Sequence, residues 1–264
     1  RRPDGDLLEL KRPAMGRLVV ANMSRENQRF VHARFAAAME KEAPSRWRDE
    51  RLAIHQALGS PEDEAPRALV GLGTWLAKSG DYARCLDVLE RASHHLHLDP
   101  LTATYGALAR GTSLLGLARF SEAAEAFLAC RRLAEEQGRP DLVAQSMLEL
   151  SEACRRFGHV NRSLQAAQDA RRFLRAQSEL NSLGRADMLE GFVRLQIGEL
   201  GEAENAFLSL KTREDYPVGL AARIQLGLLL VQSELGHLDR SAEDLSDLFE
   251  DLQDQEVSIR IEVA

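Results

Sequence analysis

The sequence predicts an all-α protein built mainly of stacked helical hairpins. Three observations predict it. Five short stretches recur at a near-constant period, and each is flanked by apolar residues at helical spacing. The composition, 44% apolar and 28% charged with 5% aromatic, supports a core and excludes compositional disorder. The stretches are residues 79–85 (SGDYARC), 117–123 (LARFSEA), 157–163 (FGHVNRS), 197–203 (IGELGEA) and 235–241 (LGHLDRS). Each closes on a small residue, Cys85, Ala123, Ser163, Ala203 and Ser241, at spacings of 38, 40, 40 and 38.

The first sixty residues stand apart from the repeats. Residues 2–10 hold an Asp-Gly turn among apolar residues, the pattern of a β-hairpin. Pro13 opens a short helix through Met23. Ser24 with Asn27 forms an imperfect capping box before a helix over about 25–42. A further helix covers Arg46 to Leu58, closed by Gly59 and Pro61.

From there the repeats fill residues 61–264, with units near 64–98, 101–137, 140–177, 180–213 and 217–252, and the start of a sixth over 254–264. Ahead of each turn lies one amphipathic helix, such as Leu69, Leu72, Gly73 and Leu76. Behind it lies another, such as Ala123, Phe127 and Cys130. Small residues at Gly73, Gly111, Ser151 and Gly191 are expected to let the two helices approach closely. The fifth unit departs, with Leu229 at that place.

This arrangement resembles the tetratricopeptide repeat. That family places a small residue mid-helix A, a Gly-aromatic turn, and small and large residues on helix B. The resemblance covers residues 64–252 and implies a right-handed superhelix of about five hairpins. No hairpin buries its apolar face alone, so neighbours stack. The stretch from Arg12 to His32 is similar to a segment of the signal-transducing ATPases with numerous domains, including maltose-type regulators and ATPase-linked kinases. It implies that residues 1–60 are the end of a winged-helix domain with linking helices. In that family a His precedes the Pro and senses nucleotide; here the position is Arg12.

Chemistry is sparse. There is no phosphate-cradling GxxxxGK[ST] loop, no GxSxG and no Cys-His signature, and Gly71-Leu-Gly73 lies inside a helix without a preceding strand. No catalytic residue, metal site or cofactor is expected. His94 and His97 form part of the one histidine cluster and read as helix-terminal caps. Cys85, Cys130 and Cys154 fall at packing positions and read as inert. The net charge of −7 argues against general nucleic-acid binding. No apolar run approaches the ~18 residues of a membrane span. With no signal peptide at its start, the chain is expected to be cytoplasmic, and the few lysines among its basic residues suggest a bacterial source. Opening without Met, it is expected to be part of a larger protein.

What remains is surface. Counting along the repeat register, the A-helices carry groove-facing Arg67 and Thr74; Tyr105 and Thr112; Gln145, Glu152, Arg155 and Arg156; Arg185, Phe192 and Gln196; and Arg223. Five of these twelve are Arg in an acidic chain, which points to an acidic or phosphorylated protein segment. Residues 243–256 carry seven acids and no base, a candidate docking strip. The leading expectation is a non-catalytic sensor and scaffold arm of a larger signalling ATPase or transcription regulator that binds a protein segment or small ligand, with the parent's own ATPase module as intramolecular partner. The alternative is a free-standing adaptor that recruits peptides.

Overall fold

A computed structural model describes residues 22–43, 46–61, 64–93, 98–175, 180–212 and 216–236. Every element among them is helical. The helices are α1 (Arg25–Met39), α2 (Arg46–Gly59), α3 (Ala65–Lys78), α4 (Tyr82–Ser93), α5 (Pro100–Gly116), α6 (Phe120–Glu136), α7 (Pro140–Arg156), α8 (Val160–Arg175), α9 (Leu180–Gln196), α10 (Leu200–Lys211) and α11 (Val218–Glu234). The chain divides into two compact units, residues 1–98 and 99–264. The β-hairpin expected at 2–10, the helix expected from Pro13, Arg12, the cluster around His94 and His97, and the acidic strip 243–256 lie outside the described residues. So do the second helix of the fifth hairpin and the start of a sixth.

In the first unit, the Ser24 side chain caps α1 by accepting from the Asn27 backbone N–H. Helix α2 crosses α1 where a Cβ on Gly59 would meet the Ala33 backbone nitrogen at 2.6 Å. The Arg48 guanidinium donates to the Met39 and Glu40 carbonyls at the end of α1. Between the helices, His32 Nδ1 and His55 Nδ1 stand 2.8 Å apart, and Phe35 stacks on His55. One ring donates and the other accepts, so the contact needs at least one neutral imidazole.

In the second unit each helix packs on its successor, and α5, α7, α9 and α11 also pack side by side. The hairpin turns share one hydrogen-bond pattern. Arg119 N–H donates to the Leu114 carbonyl and Ala118 N–H to Leu115. His159 to Cys154 with Gly158 to Arg155, and Glu199 to Arg194 with Gly198 to Leu195, repeat it. Asp81 to Leu76 with Gly80 to Ala77 does the same in the first unit. This is the Schellman closure, which needs a left-handed residue just past the helix. That residue has φ of 80° at Gly80, 82° at Gly158, 81° at Gly198 and 90° at Gly236, but in α5–α6 it is Ala118, at 58°.

Behind each turn, Cys85, Ala123, Ser163 and Ala203 are fully buried. The expected close approaches are present and graded in volume. A Cβ on Gly111 would lie 2.5 Å from the Phe127 ring, and one on Gly191 2.9 Å from Phe207. Where the A-helix carries the larger Ser151, the B-helix residue sixteen further on is Ala167 rather than Phe. There Ser163 Oγ donates to the Ser151 carbonyl at 2.8 Å, so the buried hydroxyl is satisfied. On α11 Leu229 is buried, and the close approach passes to Gly227, where a Cβ would lie 2.5 Å from the Phe207 ring. Phe207 therefore joins α9 to α11 through two glycines.

Two outcomes test this packing. Ala118→Gly relieves a left-handed alanine, and the thermal midpoint should rise by the equivalent of about 1 kcal/mol. Gly111→Ala should cost about 1–3 kcal/mol through overpacking, with Phe127→Leu in the same chain recovering part of it in urea titrations.

The histidine contact predicts acid weakening of the first unit. Burial lowers the His32 imidazole below its usual 6.5. Burial also lowers His55, helped by the charges of His32 and Arg51. The unfolded chain therefore takes up protons first. Stability from the pair is present above about 6.5 and is lost as pH falls below it. Amide exchange in α1 and α2, corrected for intrinsic rates, should be less protected at pH 5.5 than at pH 7.5. Equal protection would contradict it.

Candidate functional site

Helices α7, α9 and α11 place one register position after another on a common face, and a charged cluster sits there. Its centre is Glu152 on α7, with a side chain 5% exposed. Arg155 donates to both Glu152 oxygens at 3.0 Å, and Arg156 Nε to Oε1 at 2.8 Å. From α11, Arg223 reaches within 3.6 Å of the same oxygen, an ion pair longer than a hydrogen bond. From α9, Arg185 donates to Glu149 at 2.7 Å.

The apolar side of the cluster is Phe192 on α9. The Arg155 guanidinium lies 5.6 Å from its ring centre, a cation–π distance, and Phe207 meets the ring edge-on. Gln196 is exposed beside them and donates at 3.5 Å to the Arg155 carbonyl.

Among the described residues Arg155, Arg156, Arg185 and Arg223 gather around two carboxylates, Glu149 and Glu152, and all four are only partly buried. Burial works to raise Glu152, but the Arg155 hydrogen bonds, the Arg155 and Arg223 charges and the Arg156 hydrogen bond outweigh it, holding the carboxyl at about 2. The Glu149 charge raises Arg185 against its burial. Arg223 is lowered, first by burial and then by Arg185, Arg155 and Arg156, with Glu152 opposing. Among the described residues the neighbouring network is richer in carboxylates. There Arg171 and Arg194 meet Asp187, Glu190, Glu199 and Glu202.

Of the residues expected on the groove, Glu152, Arg155, Arg156, Arg185, Phe192, Gln196 and Arg223 come together. Gln145 is exposed one and two turns earlier on α7. Tyr105 is half-buried against the core of the second unit and interacts with Arg139, which pairs with Asp141. Thr112 Oγ1 donates back to the Leu108 carbonyl, and Thr74 does the same to Val70. Arg67 and Thr74 belong to the first unit, where Arg67 is exposed. Glu152 was expected at the groove surface but is buried beneath its arginines as their counter-ion. Glu149 was missed; its signal is its place one turn before Glu152.

Elsewhere the chemistry is quiet. Among the described residues no group of three or more His, Cys, Asp or Glu could hold a metal ion. Nor is any helix among them long and apolar enough to cross a membrane. Cys85, Cys130 and Cys154 are buried and form no disulfide, and burial pushes the Cys130 thiol up to about 12. Such thiols are poor nucleophiles.

No protein-family model matches the chain, and no curated protein matches it in sequence. Solved structures do match. A putative kinesin light chain from Podosopora anserina with nearly identical TPR-like repeats has 14% identity and a TM-score of 0.56, with 75% of this chain and 100% of that one covered. The fold is of the tetratricopeptide-like repeat kind. A Rap conjugation gene regulator of the plasmid pLS20, in complex with a Phr peptide, has 10% identity and a TM-score of 0.62, over 91% and 73% of the chains. A signal transduction ATPase with numerous domains and a tetratricopeptide repeat sensor, from Pyrococcus horikoshii, has 14% identity and a TM-score of 0.58, over 90% of this chain and 40% of that one. At these identities the likeness is one of fold.

Removing the Glu152 charge tests this arrangement. Glu152→Gln leaves three guanidiniums without their counter-ion and should cost roughly 3–5 kcal/mol in urea unfolding. In the parent chain, the stability due to this carboxylate is present above the usual 4.5 and lost as pH falls from there toward about 2. The variant should show a flatter dependence over that window. An identical slope in both proteins would contradict the arrangement.

Proposed function

We propose that this chain is the non-catalytic sensor and scaffold arm of a larger signalling ATPase or transcription regulator. It takes a protein segment along the A-helix face of its second unit. The observation that carries this reading is the partly exposed cluster of four guanidiniums and Phe192, drawn from three successive A-helices. Helices side by side offer a segment a row of similar positions, so an extended chain can touch several at once. The fold likeness to a peptide-bound Rap regulator and to a repeat sensor supports it. The similarity of residues 12–32 to a winged-helix end supports a parent with further domains ahead of α1.

A random dodecapeptide library selected on the full chain tests the location. Gln145→Trp and Gln196→Trp are exposed substitutions that obstruct the face, and Glu125→Trp on α6 is an exposed control. Enriched peptides should bind the control as they bind the parent chain and weaken at least tenfold on the obstructed pair. Peptides indifferent to both groove tryptophans, or an empty selection, would contradict the reading.

A further inference from the structure

We propose that the segment bound by this face is acidic, with its carboxylates docking on Arg185 and Arg223 and displacing Arg223 from Glu152. The inference rests on the groove reading above and adds the chemistry of the occupant.

The two carboxylates of the cluster are already engaged. Glu152 is hydrogen-bonded by Arg155 and Arg156 and is buried beneath them. Glu149 is hydrogen-bonded by Arg185 through one nitrogen. Arg223 forms no hydrogen bond among the described residues; its carboxylate neighbour is Glu152 at 3.6 Å. A guanidinium carries five N–H donors in a planar fork. Arg223 thus keeps its whole fork, and Arg185 most of its own, at side-chain exposures of 36% and 31%. An incoming carboxylate can take either fork through two parallel hydrogen bonds.

Electrostatics favours the same occupant. Among the described residues four guanidiniums gather around two carboxylates in a partly desolvated setting, and Arg223 is lowered first by burial and then by the charges of Arg185, Arg155 and Arg156. An added anion relieves that repulsion, whereas a cationic or neutral segment leaves it in place. Phe192, half-buried on α9 against the Arg155 guanidinium of the same cluster, gives an apolar side chain a surface. Acidic residues alternating with apolar ones therefore match the site.

Glu152 has a second part to play. It lies on α7 and Arg223 on α11, so their contact spans the intervening α9. A ligand carboxylate stronger than this long pair would take Arg223 over and loosen the tie between the third and fifth hairpins. Occupancy would then be felt as a change in hairpin spacing, which supplies the differential affinity between two states that coupling requires.

The test uses the full chain and fluorescein-labelled octapeptides alternating Leu with Glu, Gln, Lys or phosphoserine, read by anisotropy. The Glu peptide should bind at least tenfold tighter than the Gln peptide, and the Lys peptide should not compete. Affinity should fall as salt rises. Arg223→Gln should weaken the Glu peptide about tenfold and leave the Gln peptide unchanged; Arg185→Gln, as a second variant, should do the same. Circular dichroism verifies folding of each. Equal binding of the Glu and Gln peptides would overturn the assignment, as would retention of Glu-peptide affinity in both variants. Preference for phosphoserine, with competition by millimolar inorganic phosphate, would overturn it in favour of a phosphate site. If both peptides bind equally yet are lost on Gln145→Trp and Gln196→Trp, the groove stands and the acidic ligand falls. If Glu-peptide affinity survives that pair but is lost in the Arg variants, the recognition lies off the proposed groove face.

Discussion

The second unit depends on how closely two antiparallel helices approach at one small residue per hairpin. Where that residue is Gly111 or Gly191, the opposing helix fills the gap with the ring of Phe127 or Phe207. Where it is Ser151, the opposing residue shrinks to Ala167 and a buried Ser151–Ser163 pair supplies the polar contact. A larger residue on one helix is met by a smaller one on the other. Close packing of this kind tolerates compensated swaps better than single enlargements.

That contact fixes the phase of each A-helix, and phase determines what the face carries. The left-handed turn residues recur at 80, 118, 158, 198 and 236, in step with the small residues of the B-helices. Positions separated by one period therefore return to equivalent places on α7, α9 and α11. The charged cluster follows from this arithmetic: Arg185 and Arg223 are one period apart, and so are Glu152 and Phe192. The cluster is stable because Glu152 sits beneath its arginines, ionised well below the ordinary carboxyl range.

The helices, turns and small-residue contacts were legible in the sequence because each is a local pattern repeated five times. Ala118 was part of that pattern without its cost being visible, since a left-handed alanine is seen in the backbone alone. The site was legible in part. Register placed the arginines on one face, yet it cannot tell a ligand-facing carboxylate from a counter-ion, so Glu152 was assigned to the surface. Tyr105, on α5, packs against the core of the second unit and interacts with Arg139 from the turn between α6 and α7. His32 and His55 stand 23 residues apart in the sequence, and their meeting depends on how α1 crosses α2.

The central claim is that the repeat register brings α7 and α11 into one electrostatic unit through Glu152. A double-mutant cycle with Glu152→Gln, Arg223→Gln and the pair, followed by urea unfolding of the full chain, measures it directly. A coupling of about 1 kcal/mol or more is predicted for charges in contact across a partly buried face. Additivity within about 0.3 kcal/mol would mean that the two residues do not share a site, and would contradict the account.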